Sequence, residues 1–265
     1  MTMEALISGT QSLIRTVHVK LLSNAPPRQA APYLHDVEAH MWPAFREMVG
    51  QFDEAGYRFV GPDALLEAEG RVAFLSFDDN YRSFWTLLPL LDELRIVATF
   101  YVNTCAFRDR SSSAEIDAYF DRLRATGSRV PLSVAELREI AANGHIVGAH
   151  GHSHRMLAGL PRVEAQDDIR ASKWLLEDLL GQEVAHFSYP YGMRRHFNED
   201  LRAFCREIGF RTIANAIPGM QYGPQTAERI QRSVWRLDTP MKVNLENLCV
   251  DGRAFERMTG RSAVG

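Results

Sequence analysis

Cysteine is scarce in this sequence, and its distribution excludes a disulfide-built fold. The three cysteines, Cys105, Cys205 and Cys249, are far apart, odd in number and form no CxxC pair. A disulfide framework is therefore not expected, and three reduced thiols are typical of a cytoplasmic protein. We expect each of them to contribute to packing, which is where free cysteine usually lies.

Long apolar runs are also missing. The first twenty residues contain short apolar stretches such as Ala5–Ile7, interrupted by Gln11 and Arg15. A secretory signal needs an unbroken apolar stretch of about 7–15 residues, and a membrane span needs about 18. The sequence therefore predicts no signal peptide, no transmembrane segment and a cytoplasmic location.

There is no excess of positive charge. The chain has 30 Lys and Arg residues against 33 Asp and Glu residues, for a net charge of −3. A protein that binds nucleic acid needs surplus cations to neutralise phosphates, so the composition argues against a nucleic-acid partner. The 265 residues, 46% of them hydrophobic, suffice for one large α/β domain or two small ones.

Short apolar runs rich in strand-forming residues alternate with segments of helical periodicity. Strands are predicted at residues 71–77, 96–102, 145–149, 186–189, 210–215 and 232–237. Helices are predicted at residues 41–55, 81–94, 134–143, 163–180 and 199–208, the third with Ser133 as its N-cap, and most of them ending at a glycine. Residues 108–129 are predicted to form an inserted loop or short helix.

This alternation implies parallel strands joined by crossover helices, and it favours one closed or nearly closed β/α barrel. We divide the chain into an N-terminal segment (1–31), the barrel (32–240) and a C-terminal tail (241–265) that packs on the barrel or extends from it. In such a barrel the chemistry collects at the carboxyl ends of the strands, where the βα loops begin.

A pair of carboxylates follows the first of these strands. Asp78 and Asp79 lie in the segment Ser76–Asn80, SFDDN. Adjacent carboxylates at a strand end point in different directions, so one could bind a metal while its neighbour holds a water molecule. The alternative is that one of them caps the following helix and the other is solvated.

Three histidines follow the strand at residues 145–149. They are His150, His152 and His154, in the segment HGHSH. Two imidazoles and a carboxylate with an open position are typical of a hydrolytic metal site. An extended segment would place His150 and His152 on one face, whereas a turn at Gly151 would bring His150 and His154 together. The pattern leaves both pairings open.

A third motif, FSYPYG, ends the strand at residues 186–189. Pro190 and Gly192 indicate a specific turn that leaves backbone N–H groups facing a cleft, although many such segments are turns and nothing more. In this order the three motifs resemble those of the polysaccharide deacetylase family (carbohydrate esterase family 4). The resemblance spans about residues 32–237, with Gly151 in a position where the family has a hydroxyl residue, and it implies a distorted (β/α)7 barrel.

Two departures from the family pattern point to one of its branches. Ser188 replaces the arginine of the third motif, and no histidine follows His196. The chain is closer to the permuted poly-N-acetylglucosamine deacetylase-like branch, in which an early Tyr-His-Asp-Val-like motif brings the general acid. Residues 33–37, YLHDV, resemble it with Leu34 inserted. A later arginine, here Arg232, is expected to replace the missing one.

The resemblance implies a role for each site residue. The metal ligands are Asp79, His150 and His154. The catalytic residues are Asp78 as base, His35 as acid with His196 in reserve, Tyr191 through its backbone N–H, and Arg232 as support for the base. The substrate-binding residues are Tyr189, Pro190, Tyr191 and Gly192. The alternatives are a structural role for His35 and a surface or helix-cap role for Arg232.

The cofactor implied is one divalent metal ion, zinc first, with cobalt, nickel or iron as alternatives. The expected substrate is an N-acetylated amino sugar, carried by a sugar nucleotide or a lipid-linked glycan in O-antigen or capsule-like biosynthesis. Three other functions remain open. One is a metal amidohydrolase on a small non-sugar amide, the second is a non-catalytic carbohydrate-binding relative that keeps the metal, and the third is a structural or scaffolding protein without a metal.

Overall fold

The computed structural model describes residues 26–216, 225–249, 257 and 260. Within them the strands are β1 (Gln29–Ala30), β2 (Pro32–Leu34), β3 (Arg58–Phe59), β4 (Val72–Ala73), β5 (Ser76–Asp78), β6 (Thr99–Val102), β7 (Ile146–Ala149), β8 (His186–Ser188), β9 (Thr212–Ala214) and β10 (Ser233–Val234). The helices are α1 (Trp42–Glu54), α2 (Pro62–Glu67), α3 (Ser83–Thr86), α4 (Leu88–Glu93), α5 (Ser113–Leu123), α6 (Val134–Ala142), α7 (Arg162–Leu180), α8 (Glu199–Glu207) and α9 (Met241–Cys249). Most of the predicted N-terminal segment, and most of the predicted tail after α9, lie outside the described residues.

Seven parallel strands form one curled sheet in the order β10-β2-β5-β6-β7-β8-β9. Each neighbouring pair runs in the same direction, with helices in the connections between strands. This arrangement confirms the predicted single-domain, distorted (β/α)7 barrel. It also places the carboxyl ends of β2, β5, β7 and β8 at one end of the sheet, which is the end where the polar motifs lie.

Residues 230–233, which lead into β10, pair with two strands that are far apart in the order of the sheet. Ile230 forms a parallel bridge with Ala214 of β9. Three residues later, Ser233, the first residue of β10, pairs with Pro32 of β2. Arg232 lies between these two pairings, so its side chain can enter the space that the curled sheet encloses.

The predicted strand at residues 71–77 is two strands rather than one. Its first part, β4, joins a separate three-stranded sheet in the order β1-β4-β3, while its second part, β5, enters the main sheet. Phe74 and Leu75 connect them and are fully buried. Because every position of the run is buried, its apolar pattern contains no sign of the break.

Several helix ends follow from local chemistry. The predicted N-cap Ser133 forms a capping box with Glu136 at the start of α6, and Gly181 (φ 66°) ends α7 in the left-handed region. The predicted helix at residues 81–94 is two short helices, because Pro89 lies in the first turn of α4 and cannot donate a helical hydrogen bond. No helix in the described part of the chain is long and apolar enough to cross a bilayer.

The predicted inserted loop or short helix at residues 108–129 contains a helix of 11 residues, α5. Ser112 and Glu115 form a capping box at its start. Its buried face includes Tyr119 and Phe120. This helix places the segment 123–127 at the rim of the cleft described below.

Candidate metal centre and active site

The two adjacent aspartates separate at the end of β5. Asp78 is the last residue of the strand, and Asp79 follows it with a φ of 82°. A residue other than glycine rarely adopts this left-handed conformation, and such positions cluster at functional sites. The turn directs the two carboxylates toward different partners, as expected from their adjacency at a strand end.

The histidine segment turns sharply after β7. Gly151 has a φ of 73° and His154 a φ of 52°. As a result, Asp79 Oδ1 lies 3.6 Å from His150 Nε2 and 3.3 Å from His154 Nε2. The His152 ring leaves this group and lies 2.9 Å from the hydroxyl of Thr104. Of the two pairings that the sequence left open, the structure therefore contains the turned one, His150 with His154.

These three side chains form a donor set that fits a cation. One ligand atom from each of Asp79, His150 and His154 lies within 4.8 Å of the other two, and all three residues are buried. Asp79 Oδ1 has no hydrogen-bond partner among the described residues. His150 Nδ1 lies 2.7 Å from the carbonyl oxygen of Ser188, which can only accept, so Nδ1 carries the proton and Nε2 is free to bind a metal.

Electrostatics point the same way. Burial and the nearby Asp78 carboxylate raise the pKa of Asp79 well above its ordinary value. Burial lowers the pKa of His150 to about 4 and holds the pKa of His154 well below its ordinary value. At neutral pH both imidazoles are thus unprotonated, and a bound cation would offset the cost of an ionised Asp79.

Asp78 forms a buried ion pair with Arg232. The guanidinium lies 2.6 Å from Oδ1 and 2.7 Å from Oδ2, in a bidentate arrangement. Burial raises the pKa of Asp78, but Arg232 and then His150 outweigh it, and the pKa lies below its ordinary value. Asp78 is therefore held as a carboxylate 3.9 Å from His150 Nε2.

Every N–H of the Arg232 guanidinium has an acceptor. Besides the two bonds to Asp78, Nη1 donates to Ser76 Oγ, Nη2 to Ser188 Oγ and Nε to the Asn215 carbonyl, at 3.0, 2.6 and 2.8 Å. Five donors are all that an arginine offers. Ser188, which stands where the family motif has arginine, thus contacts an arginine that lies 44 positions later in the sequence.

Two tyrosine rings contact the faces of the same guanidinium. The Arg232 Cζ lies 4.6 Å from the ring centre of Tyr33 and 5.0 Å from that of Tyr101. The Tyr101 ring fits because residue 148 is glycine. A Cβ there would lie 2.6 Å from Tyr101 Cδ1 and 2.9 Å from the His186 carbonyl oxygen.

A cleft of about 820 Å³ opens over both groups, and its walls include Asp78, Asp79, His150, His154 and His35. His35 follows β2, and its ring packs edge-on against Tyr33 at 5.4 Å. Desolvation by the surrounding protein lowers the pKa of His35, and the Asp78 carboxylate opposes this shift. The structure therefore brings His35 to the wall of the cleft, where the residue is exposed.

Two other histidines bear on the choice of acid. His40, in a short helical turn, also lines the cleft and lies 3.4 Å from Glu38. His196, the reserve acid, is buried and hydrogen-bonded to Met193 N and Arg195 Nε, at 3.2 Å each. It is not among the residues that line the cleft. His40 is thus the nearer alternative to His35.

The predicted substrate-binding segment needs correction. Of its four residues, Tyr191 lines the cleft; the residue is 45% exposed, and its ring centre lies 4.9 Å from that of His154. Tyr189 is buried instead, stacked on Phe197 at 4.5 Å. Pro190 is buried beside Gly151.

Gly192 has a structural reason to be glycine. A Cβ at this position would lie 2.1 Å from that of Ala216. Tyr189, Pro190 and Gly192 therefore shape the turn that presents Tyr191, and their side chains are not placed to bind a substrate.

Two polar residues near the histidine turn were missed by the sequence analysis. The Asn103 amide nitrogen donates to the carbonyls of His150 and Gly151 at 2.5 and 3.2 Å. Asp168 accepts the backbone N–H of His152 at 2.8 Å. Asp168 lies in the predicted helix at 163–180, where a polar residue ordinarily indicates a solvated face, so the sequence contains no signal for this contact.

Comparison with known proteins identifies the class. A family model described as polysaccharide deacetylase matches residues 66–213, which is more than half of the chain. The chain belongs to this family. Its members are hydrolases that act on the N-acetyl amide bonds of sugars, and they are generally metal-dependent.

Individual relatives are distant in sequence. "Putative polysaccharide deacetylase YxkH" of Bacillus subtilis (strain 168) is 21% identical over 150 residues, which cover 56% of this chain and 46% of the relative. The match thus spans less than half the length of that protein.

Solved structures share the fold over most of the chain. The deacetylase PplD of Streptococcus pyogenes, solved with acetate, has a TM-score of 0.65 at 16% identity, covering 84% of this chain and 99% of PplD. IcaB from Ammonifex degensii has a TM-score of 0.61 at 18% identity, covering 82% and 96%. The BpsB deacetylase domain from Bordetella bronchiseptica has a TM-score of 0.59 at 18% identity, covering 80% and 97%. The last two represent the permuted branch that the sequence pointed to.

Proposed function

We propose that this chain is a metal-dependent N-deacetylase, which removes the acetyl group of an N-acetylated amino sugar during O-antigen or capsule-like polysaccharide biosynthesis. One observation carries the proposal. Asp79, His150 and His154 place three ligand atoms within 4.8 Å of one another, and Asp78, held by the buried Arg232, lies beside them in the same cleft.

Asp79, His150 and His154 would hold the divalent cation, with zinc first and cobalt, nickel or iron as alternatives. Bound there, the cation would polarise the acetyl carbonyl and lower the pKa of a water molecule. Ser188 supports this role of His150 by accepting the Nδ1 proton through its carbonyl.

Asp78 is the proposed general base. It is next to a ligand residue, and the guanidinium of Arg232 keeps it ionised and fixes its orientation. Each carboxylate oxygen keeps a second lone pair with which it can take a proton from the attacking water. Arg232 in turn cannot rotate, because all five of its N–H groups are bound.

Tyr191 and His35 complete the proposed chemistry. The Tyr191 backbone N–H has no acceptor among the described residues, so it is free to donate to the oxyanion as the acetyl carbonyl is attacked, a contribution of about 3 kcal/mol in comparable sites. His35 would donate a proton to the leaving amine, because expulsion of an amide anion is prohibitive. The products are acetate and the free amino sugar.

A substrate panel tests this proposal. The protein, loaded with zinc or cobalt, is incubated with N-acetylated amino sugars, their nucleotide-linked and lipid-linked forms, and small non-sugar amides. We expect acetate release from the amino sugars, and abolition of that release by a chelator. Faster hydrolysis of the small amides would contradict the sugar assignment, and tight sugar binding without acetate release would indicate a non-catalytic relative.

A further inference from the structure

The histidine turn has to meet a strict geometric demand. His150 stands at the end of β7, while His154 must come back toward Asp79 four residues later. An extended chain would separate two such residues by about 13 Å, yet their ring centres lie 5.3 Å apart. Something must therefore hold the intervening residues in a tight reversal.

Gly151 starts this reversal but cannot hold it. Its φ of 73° permits the turn, and it has no side chain with which to form a hydrogen bond. Asn103 binds the carbonyls of His150 and Gly151, at the side of the turn nearest to β7. These bonds leave the far side, which leads into His154, to other partners: Cys105 N–H donates to the His152 carbonyl at 3.0 Å and Arg122 donates to the Ser153 carbonyl, while the backbone N–H groups of the turn need an acceptor.

The carboxylate of Asp168, from helix α7, binds that far side. Oδ1 accepts the backbone N–H of His152 at 2.8 Å, and Oδ2 accepts the backbone N–H of Ser153 at 3.2 Å. The Ser153 hydroxyl also donates to Oδ2. The Asp168 side chain is only 2% exposed, and its nearest cation is the Arg155 guanidinium at 3.9 Å.

Because the Asp168 carboxylate is buried, it depends on hydrogen bonds from the turn. Burying an ionised carboxylate is costly unless hydrogen bonds compensate it, and here three of the compensating donors belong to the turn itself. The fit is also steric. A Cβ on Gly151 would lie 2.9 Å from Asp168 Oδ1, so the carboxylate occupies the space that a side chain at residue 151 would need.

We propose that Asp168 is a positioning residue for the metal site, which sets the turn between the two histidine ligands and so brings His154 to Asp79. It does not contact the ligand atoms itself. The inference rests on the proposed metal-dependent function. It means that metal affinity depends on Asp168, a residue of helix α7 that lies outside the three motifs.

Zinc affinity of the metal-free protein, measured by titration calorimetry, tests this role. In Asp168→Asn the shape is nearly retained, but one oxygen becomes an amide nitrogen that cannot accept from the turn. Residues that orient metal ligands typically change affinity by about 10–100-fold, and we expect a loss in that range. The matched control is Asp167→Asn on the neighbouring position, where the carboxylate is exposed and pairs with Arg170. Its zinc affinity should equal that of the wild type.

Ser153→Ala provides a milder variant in case Asp168→Asn does not fold. It removes one of the three donors to Asp168, and we expect a zinc affinity several-fold below that of the wild type. The cobalt-loaded proteins add a second readout, because a displaced His154 changes the visible absorption of the ion. Thermal unfolding of the metal-free variants separates this effect from a general loss of stability.

The possible outcomes distinguish the positioning role of Asp168 from the proposed metal-dependent function. Wild-type zinc affinity and an unchanged cobalt spectrum in both Asp168→Asn and Ser153→Ala would overturn the positioning role and leave the proposed function standing. A lower unfolding temperature with unchanged zinc affinity would likewise overturn it, because Asp168 would then support the fold alone. Failure of the wild type to bind any divalent cation would overturn both.

Discussion

The site has a base half, Asp78 with Arg232, and a metal half, Asp79 with His150 and His154. The two halves differ in whether their buried polar atoms have hydrogen-bond partners. In the base half, Arg232 uses all five of its donors and Asp78 has a bidentate partner. In the metal half, Asp79 Oδ1 is buried with no hydrogen-bond partner among the described residues. The base half is therefore a finished hydrogen-bond network, whereas the metal half has the charge balance of a site built for a cation.

This contrast indicates how the halves should respond to mutation. Removal of a ligand from the metal half should remove the ion, since the described residues offer three protein ligands there. Changes in the base half should spare the ion and affect proton transfer or packing. The predictions below follow this division, from the largest expected effect to the smallest.

The largest effect is expected for His154→Ala. This variant loses one of three protein ligands. Metal affinity and activity should therefore fall by more than the loss of about 10–100-fold that is typical when a residue that only orients a ligand is replaced. Metal content by elemental analysis, and the rise in unfolding temperature on addition of zinc, measure the effect. His152→Ala is the control, because this ring contacts Thr104 and not Asp79. Full metal occupancy in His154→Ala would refute the ligand assignment.

Asp78→Asn tests the other half. It keeps the shape of the side chain but removes the base, so we expect full metal content and a loss of turnover of about 10²-fold or more. Steady-state kinetics with parallel metal analysis measures both quantities. If the metal were lost instead, the roles of Asp78 and Asp79 would have to be exchanged.

His35→Ala tests the acid, which belongs to neither half. General acids typically contribute about 10²–10⁴-fold, and we expect a loss of turnover near the lower end, without loss of metal. His40→Ala is the matched comparison, since His40 lines the same cleft but pairs with Glu38 at its rim. Near-normal turnover in His35→Ala, with a loss in His40→Ala, would transfer the role of acid to His40.

The smallest effect is expected for Gly148→Ala. The added methyl group would lie 2.6 Å from the Tyr101 ring and 2.9 Å from backbone, and overpacking of this kind typically costs about 1–3 kcal/mol. Denaturant unfolding measures the change in the free energy of unfolding. In Gly50→Ala, within helix α1, nothing lies within 4 Å of the new atom, and a neutral or slightly stabilising effect is expected there. Equal stability of both variants would show that the packing around Tyr101 and Arg232 is looser than the structure indicates.

Much of the fold could be predicted from the sequence. The alternation of apolar runs with helical periodicity indicated the parallel sheet, and Ser133 and Gly181 marked helix ends correctly because caps depend on neighbouring residues alone. The division of the 71–77 run between two sheets was not predictable, since it depends on which strands pair with each part.

The site, like the fold, could be predicted from the sequence only in part. Motifs at strand ends and the resemblance to a family named Asp78, Asp79, His150 and His154, which the structure brings together at one end of the sheet. The pairing of His150 with His154 rather than His152 was open until the backbone turn was known. Tyr189 was placed in the substrate site because its motif lies there, but its direction is set by stacking on Phe197.

The sequence by itself determined the local features: where strands and helices form, where the chain must turn, and which residues with metal-binding chemistry lie at strand ends. These depend on residues within a few positions of one another. Only the tertiary structure decided that Arg232 pairs with Asp78, 154 positions away, and that Asp168 reaches the histidine turn from helix α7. Such contacts arise when the sheet curls and a helix packs against it, and a single sequence contains no periodic pattern that records them.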